Sequence, residues 1–309
     1  METVAVMDLG SNSVRLAVFE IQSETSFAVK HRAFEMIRLA ASLSEDKMLS
    51  QDAFGRTADA LCKLKRTALG YGASVILCVA TEAVRRAKNG VSFLEFIEKE
   101  TGLAFQIISG EKEAHYGFLT AAEGLSLSDF VLLDTGGASV ELSLVRHGNL
   151  LHSISLPIGS LLMHRKFIHS DPVNSVDLSA LHSFLHSELS NICWLKEGMH
   201  LPVAGLGGTN KCIAKLDCPG NESYQRYQLT AERIREIYRT VAAASISERA
   251  SMQGIEQGRQ DTILSGMAVM ITLMELLDSP GMVISEWGLD YGIFMEYWNK
   301  TKRKEELAE

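Results

Sequence analysis

The chain has 309 residues, of which 46% are hydrophobic and 22% are charged, and its formal net charge at pH 7 is -8. This length suffices for two domains of ordinary size, and the composition is that of a globular protein rather than a disordered one. The acidic balance argues against a nucleic-acid partner, because contacts with a phosphate backbone need a basic surface. An anionic substrate is still allowed where a local cleft is basic.

Targeting signals are not evident in the sequence. The start of the chain, METVAV, lacks the basic region and the long apolar region of a signal peptide. The five cysteines are scattered and form no CxxC pair, which indicates reduced thiols and a cytoplasmic location. The longest apolar stretch, residues 266–277, is too short to span a bilayer and carries Glu275. We therefore expect a buried helix there and no membrane contact.

Hydrophobic periodicity predicts strands and helices in alternating blocks, which is typical of the α/β class. In the first half the predicted elements are strands over 3–7, 14–22 and 26–37, a helix over 51–70, a strand over 74–80, helices from Thr81 and from about Val91, a strand over 104–109 and a helix over 110–124. In the second half they are three strands within 129–159, a strand and a helix within 201–216, helices over 230–244 and 262–278, a strand over 282–285, a final helix over 290–300 and a frayed charged tail from Thr301.

The pattern of an apolar run, an aspartate, a loop of small residues and a return strand occurs twice. VMDLGSNSVRLAVF and VLLDTGGASVELSLV align at their aspartates without a gap, about 125 residues apart. This repeat predicts two similar halves, with the boundary near Glu123 and Gly124.

Three loops of small residues each follow an apolar strand. Such loops bring backbone N–H groups close to phosphate oxygens, and a helix that begins there adds a favourable dipole. A single loop of this kind is as readily a tight turn, but three of them favour phosphate binding. The predicted phosphate-binding residues are Gly10, Ser11, Asn12, Ser13, Gly136, Gly137, Ala138, Ser139, Gly207, Gly208 and Thr209.

Asp8 and Asp134 end equivalent strands of the two halves. If the halves face each other, both carboxylates point into the space between them. Carboxylates beside phosphate loops are suited to Mg²⁺, which takes oxygen ligands and bridges to phosphate. Glu141, on the second return strand, adds a third candidate metal ligand.

In order and spacing, the motifs of this chain closely resemble those of the exopolyphosphatase / guanosine pentaphosphate phosphatase (Ppx/GppA) family. The matching segments are DLGSNSVRL at 8–16, IRLAASL at 37–43, ATEAVRRAKN at 80–89, ISGEKEAHYGF at 108–118, DTGGASVEL at 134–142, LPIGSLLMHRKF at 156–167, GLGGTNKCIA at 205–214 and GRQDTILSGMAVM at 258–270. The resemblance implies two actin-like (ribonuclease H-like, ASKHA superfamily) domains with the active site in the interdomain cleft. It implies a short two-domain member, with domain I at 1–123 completed by a helix within 288–309, and domain II at 124–287.

The resemblance also implies roles for single residues. By position the general base is Glu113, with Glu111 as the alternative, and Arg85 resembles a phosphate clamp. The chain departs from the family pattern at His115, at Thr135 and Ala138 in the second loop, and at Asp290, which reverses a usual positive charge.

Four functions remain open at this stage. The first is an exopolyphosphatase, which would release terminal orthophosphate from inorganic polyphosphate with Mg²⁺. The second, with the same machinery, is a phosphatase of guanosine pentaphosphate (pppGpp). The third is a non-catalytic sensor of a phosphorylated ligand, which the altered second loop and Asp290 would favour and which the retained Glu113 argues against. The fourth is a sugar kinase, which the motifs match less well. The resemblance also allows a homodimer.

Overall fold

The computed structural model describes residues 2–306. Contacts divide the chain into two compact units: unit 1 runs through Tyr116 and resumes at Leu289, and unit 2 is Gly117–Gly288. The first division point falls inside the helix that the sequence placed over 110–124, a little before the boundary expected at Glu123.

Eleven strands form in the described part of the chain. In chain order they are β1 (Glu2–Leu9), β2 (Ser13–Ser23), β3 (Ser26–Met36), β4 (Val75–Ala80), β5 (Gln106–Ile107), β6 (Phe130–Thr135), β7 (Val140–Arg146), β8 (Asn149–Leu156), β9 (Val203–Leu206), β10 (Tyr227–Thr230) and β11 (Gly281–Ile284). They are accompanied by eleven α-helices, and residues Leu39–Ser42 and Leu195–Gly198 form short 3-10 turns. The helices are α1 (Gln51–Gly70), α2 (Glu82–Arg86), α3 (Gly90–Thr101), α4 (Gly110–Leu125), α5 (Ser160–Phe167), α6 (Ser175–Ser190), α7 (Gly207–Asp217), α8 (Ala231–Ala243), α9 (Ile246–Ser251), α10 (Ile263–Leu277) and α11 (Leu289–Glu306).

The two sheets share one strand order. Unit 1 is ordered β3-β2-β1-β4-β5, and unit 2, read in the same direction, is ordered β8-β7-β6-β9-β11-β10. In each unit the first strand pairs antiparallel with its return strand and parallel with a later strand. The predicted α/β class is therefore confirmed, and the sequence repeat corresponds to a repeat of topology.

Several elements differ from the sequence prediction. The strand expected over 104–109 is reduced to the two residues of β5, and the helix from Thr81 is the five-residue α2. Helices α5, α6 and α9 and strand β10 had not been predicted. The last helix, expected to end near residue 300, continues to Glu306, and residues 307–309 of the predicted frayed tail lie outside the described residues.

Helix α10 forms the centre of the unit 2 core, as its apolar sequence predicted. All of its residues are buried except Glu275 and Leu276. It packs against α5, α6 and α8. Within residues 2–306, none of the helices combines the length and the hydrophobicity needed to cross a bilayer.

Helix α11 completes the core of unit 1. Phe294 stacks on Phe19 of β2 with ring centroids 4.1 Å apart, and Trp298 meets the edge of Phe27 at 4.8 Å. Phe19 and Phe294 are fully buried, so this aromatic cluster carries a large share of the hydrophobic burial of the unit.

We expect Phe294→Ala to lower the free energy of unfolding by roughly 3–5 kcal/mol, because it leaves a cavity between α11 and the sheet. Urea unfolding followed by circular dichroism measures the change. Phe34→Ala on β3 is the matched control, since Phe34 is 46% exposed, and its effect should stay within about 0.5 kcal/mol. Equal losses in the two variants would contradict this role for α11.

Candidate active site

The loops after β1 and β6 close with the same hydrogen bond. Gly10 N–H donates to the carbonyl of Ser13, and Gly136 N–H donates to the carbonyl of Ser139, both at 3.0 Å. Both glycines lie so close to the serine carbonyl that a Cβ would sit 3.0 Å from its oxygen. The two predicted phosphate loops therefore share one backbone geometry.

In the first loop the carbonyl groups are already bonded within unit 1. The Ser11 carbonyl accepts from Ala40 N–H at 2.8 Å, and the Asn12 carbonyl accepts from Ile37 and Arg38 N–H at 3.0 and 2.8 Å. The amides of Ser11 and Asn12 have no acceptor among residues 2–306. These two N–H groups are available to an anionic ligand.

The second loop repeats this arrangement against the start of α5. The carbonyls of Gly136 and Gly137 accept from the amides of Ser160 at 2.9 Å and Leu161 at 2.8 Å. The amides of Gly137 and Ala138 have no acceptor among the described residues. Ala138 is not among the residues with positive φ, so its Cβ causes no backbone strain here.

The second loop also rests on a glycine of the adjoining helix. Gly159, the N-cap of α5, lies so close that a Cβ would stand 2.5 Å from Ala138 N. Thr135, another departure from the family pattern, is buried, and its Oγ1 has no hydrogen-bond partner within residues 2–306. The departures in this loop are thus accommodated without opening it.

The third loop, Gly207–Thr209, forms the first turn of α7. Gly207 has φ of +84°, and a Cβ there would stand 2.5 Å from Asp134 Oδ1. The Asp134 carboxylate therefore lies against the helix N-terminus, where the N–H groups and the dipole favour negative charge. In unit 2 the structure brings the second and third phosphate loops and Asp134 together.

The two aspartates have different cross-strand partners. Asp8 lies opposite Arg15 on β2, and Asp134 lies opposite Glu141 on β7. The Arg15 guanidinium approaches the Asp8 carboxylate at 3.9 Å. The sequence alignment places Arg15 and Glu141 at equivalent positions, so unit 1 has an ion pair where unit 2 has two carboxylates.

The Asp134–Glu141 pair suits a magnesium ion. Glu141 is buried, and its Oε1 accepts a hydrogen bond from Ser155 Oγ at 2.7 Å, which holds the carboxylate in place. In the part of the chain that the structure describes, no three or more His, Cys, Asp or Glu side chains cluster as a complete metal site. Mg²⁺ commonly binds through one or two carboxylates and substrate phosphates, so this donor set fits it.

The predicted base and clamp of unit 1 lie side by side. Arg85 Nη1 lies 3.2 Å from Glu113 Oε2 and also donates to the Ile108 carbonyl, at 2.5 Å, while Arg85 Nη2 pairs with Glu82. Burial alone would lower the pKa of Arg85, but the Glu113 and Glu82 carboxylates raise it above its ordinary value. Glu111, the alternative base, is exposed, so the geometry favours Glu113.

One cation of the site was missed in the sequence. Arg259, 8% exposed, lies against Gly208 so closely that any side chain at 208 would collide with its guanidinium. Its Nε donates to Glu256 at 2.9 Å, and Lys215 also pairs with Glu256 at 2.9 Å. Burial alone would raise the pKa of Glu256, but Arg259 and Lys215 hold it at about 2. The sequence contains this arginine in the segment GRQDTI, but it does not show that the arginine lies beside the third loop.

The remaining departures have local explanations in unit 1. Asp290, at the start of α11, is paired with Arg32 of β3 at 3.8 Å, so its negative charge is compensated. His115 is half-buried, and burial and the Lys112 charge lower its pKa. The cleft that the sequence predicted between the domains stays a prediction.

Comparison with known protein families supports the resemblance seen in the motifs. Residues 17–301 match the Ppx/GppA phosphatase family. The chain belongs to this family.

Relatives of the Ppx/GppA family cover nearly the whole chain. Exopolyphosphatase 1 of Mycobacterium leprae is 25% identical over 299 residues, which cover 94% of this chain and 88% of that protein. The crystal structure of the Aquifex aeolicus Ppx/GppA family member is 27% identical with a TM-score of 0.81, covering 97% of this chain and 98% of that one. An exopolyphosphatase structure from Cytophaga hutchinsonii has a TM-score of 0.90 at 20% identity, covers 97% and 98% of the two chains, and supports the fold. The predicted two-domain actin-like fold is thereby confirmed, and the chain is placed among phosphatases.

Glu256→Gln should remove a contribution to the free energy of unfolding that depends on pH. A depressed pKa stabilises the folded state above the ordinary value of about 4.5, and this stabilisation is lost as pH falls toward about 2. At pH 7 we expect a loss of roughly 3 kcal/mol, which shrinks as urea unfolding is repeated at lower pH. Glu232→Gln, an exposed control on α8, should show neither effect. A Glu256→Gln deficit that stays constant from pH 7 to pH 3 would contradict the ion-pair assignment.

Proposed function

We propose that the protein is an exopolyphosphatase that releases terminal orthophosphate from inorganic polyphosphate with Mg²⁺. The observation that carries the proposal is the pair of equivalent loops, whose bonded carbonyls leave the amides of Ser11, Asn12, Gly137 and Ala138 available. Each such loop suits a phosphate group. The family membership and the exopolyphosphatase among the relatives support this substrate class.

Residues of both units serve this reaction in our proposal. The loops Gly10–Ser13, Gly136–Ser139 and Gly207–Thr209 bind phosphate oxygens through those backbone N–H groups that are not bonded within the loop, and Arg259 adds a cation beside the third loop. Asp134 and Glu141 hold the Mg²⁺, while the part that the sequence assigned to Asp8 stays a prediction. When bound, this ion neutralises negative charge on the phosphates and orients them.

Glu113 acts as the general base in the proposed reaction. It accepts a proton from a water molecule whose oxygen attacks the terminal phosphorus, while the bond from that phosphorus to the bridging oxygen breaks. The products are orthophosphate and a polyphosphate shortened by one phosphate. Arg85 holds the Glu113 carboxylate at 3.2 Å and has further N–H groups with which to bind the phosphate.

The pppGpp phosphatase and the sensor remain alternatives of the same fold. Asp290 and Ala138, the residues that favoured a sensor, cause no uncompensated charge and no positive φ in the structure. The five cysteines are all free thiols, which supports the proposed cytoplasmic location. The homodimer stays a prediction.

Glu113→Gln should abolish orthophosphate release, with a fall in kcat of about 10²- to 10⁴-fold, because the amide cannot accept the proton. The assay measures orthophosphate from short polyphosphate, long polyphosphate, pppGpp and ATP in the presence of Mg²⁺. Glu111→Gln is the matched control on the same turn of α4 and should retain activity.

The substrate panel separates the alternatives. Faster release from polyphosphate than from pppGpp supports the exopolyphosphatase, and the reverse order supports the nucleotide phosphatase. Saturable binding without release by the wild type would overturn the enzyme assignment and favour the sensor. Loss of release in Glu111→Gln but not in Glu113→Gln would move the base to Glu111.

A further inference from the structure

Unit 2 has a pocket that lies outside the set of residues assigned to the active site. It has a volume of about 740 Å³, within the range of small-molecule sites. Helices α6, α8 and α10 line it with His182, Ser183, His186, Arg235, Tyr238, Arg239, Ile271, Thr272 and Glu275. The lining therefore combines positively charged and polar groups with a larger share of apolar surface, to which Ile271 of α10 contributes.

A chain of hydrogen bonds fixes the floor of this pocket. Thr272 Oγ1 donates to the Ala268 carbonyl at 2.9 Å, so it accepts from His182 Nδ1 at 3.1 Å. Burial lowers the pKa of His182, which favours the neutral imidazole, and in that form its Nε2 accepts from Tyr238 O–H at 2.7 Å. Three helices are thus connected through one ordered network beneath the pocket.

The arginines of the pocket are not paired with carboxylates. Arg235 and Arg239 lie one turn apart on α8, and neither forms an ion pair or a side-chain hydrogen bond with any side chain that the structure describes, in residues 2–302. By contrast, Arg233 on the same helix is paired with Asp217 and Glu236. Two unpaired guanidinium groups facing one pocket are unusual in a chain with a net charge of -8.

A buried arginine, Arg249, interacts with Tyr238 of the pocket lining. Arg249 is only 1% exposed, and its Nη2 has no hydrogen-bond partner within the described residues. Its guanidinium interacts electrostatically with Asp171, with Tyr238 and with Asp261, so its charge is partly compensated. Glu275 is the only carboxylate among the pocket residues, so arginines outnumber acids here.

We propose that this pocket binds a small phosphorylated molecule, whose phosphate group is held by Arg235 and Arg239 and by the hydroxyl of Ser183. Guanidinium groups suit phosphate because they present several donors in a fixed plane. The remaining volume, beside Ile271 and the His182 network, accommodates the rest of the molecule.

Helix α10 connects this pocket with the third phosphate loop. Near its start Gly266 lies against Thr209, where a Cβ would stand 2.7 Å from Thr209 Oγ1. Ile271 and Thr272 lie five and six residues further along, about 8–9 Å at the helical rise. A ligand in the pocket therefore contacts the same buried helix that packs against the loop.

The test uses inorganic phosphate as the probe and the imidazole resonances of His182 and His186 as the readout. Titration of the full chain, at ionic strength held constant with chloride, should shift both resonances saturably. Arg235→Gln with Arg239→Gln should weaken this binding at least tenfold, since each charged hydrogen bond contributes about that factor. Both arginines are at the surface, so the variant should fold.

Two controls make the outcome decisive. Arg233→Gln should leave the affinity unchanged, because its partners lie outside the pocket. Arg259→Gln should also leave it unchanged, which separates the pocket from the phosphate loops and from the proposed hydrolysis. The proposal is overturned if neither resonance shifts saturably, if the double variant binds as the wild type does, or if Arg259→Gln alone removes the shift.

Discussion

A single hydrogen bond, from a glycine amide to a serine carbonyl, closes the turn after the first strand of each unit. It measures 3.0 Å at Gly10 and at Gly136. Because the turn is closed, the return strand begins in a fixed register, and the seventh residue after each aspartate lies beside it. The neighbouring carbonyls accept hydrogen bonds from outside the loop, which leaves amides available for phosphate. The geometry of this one turn therefore sets both which residue lies opposite the aspartate and which amides can donate to a ligand.

The shared register has opposite electrostatic consequences in the two units. In unit 1, Asp8 faces Arg15, and the pair has no net charge. In unit 2, Asp134 faces Glu141, so two acidic side chains occupy neighbouring positions on one face of the sheet. A divalent cation bound there would be attracted to both carboxylates. The metal site we propose therefore depends more on unit 2 than on the symmetric pair of aspartates.

The sequence predicted the α/β class, the repeat and the three loops, because each of these produces a recognisable pattern within a short stretch of sequence. An apolar run followed by aspartate and glycine is readable without tertiary information. The missed helix α6 had a usable signal, since Leu178, Leu181, Leu185 and Leu189 recur at helical spacing. Its many serines and histidines obscured that stripe. The shortness of β5 had no comparable signal, because strand length there depends on pairing with β4.

Contacts between residues distant in sequence account for the parts of the site that pattern reading did not give. Arg259 and Gly208 are fifty-one positions apart, and nothing in either motif relates them. A buried guanidinium is costly unless it is paired, and Glu256 supplies that pairing at Nε. With Nε bonded, the Nη groups are held against Gly208, where the missing Cβ leaves room for them. In the phosphate site that we propose, the cation is thus oriented before the ligand binds, and little side-chain entropy would be lost on binding. The same glycine that suits a phosphate loop is therefore also required for the arginine beside it.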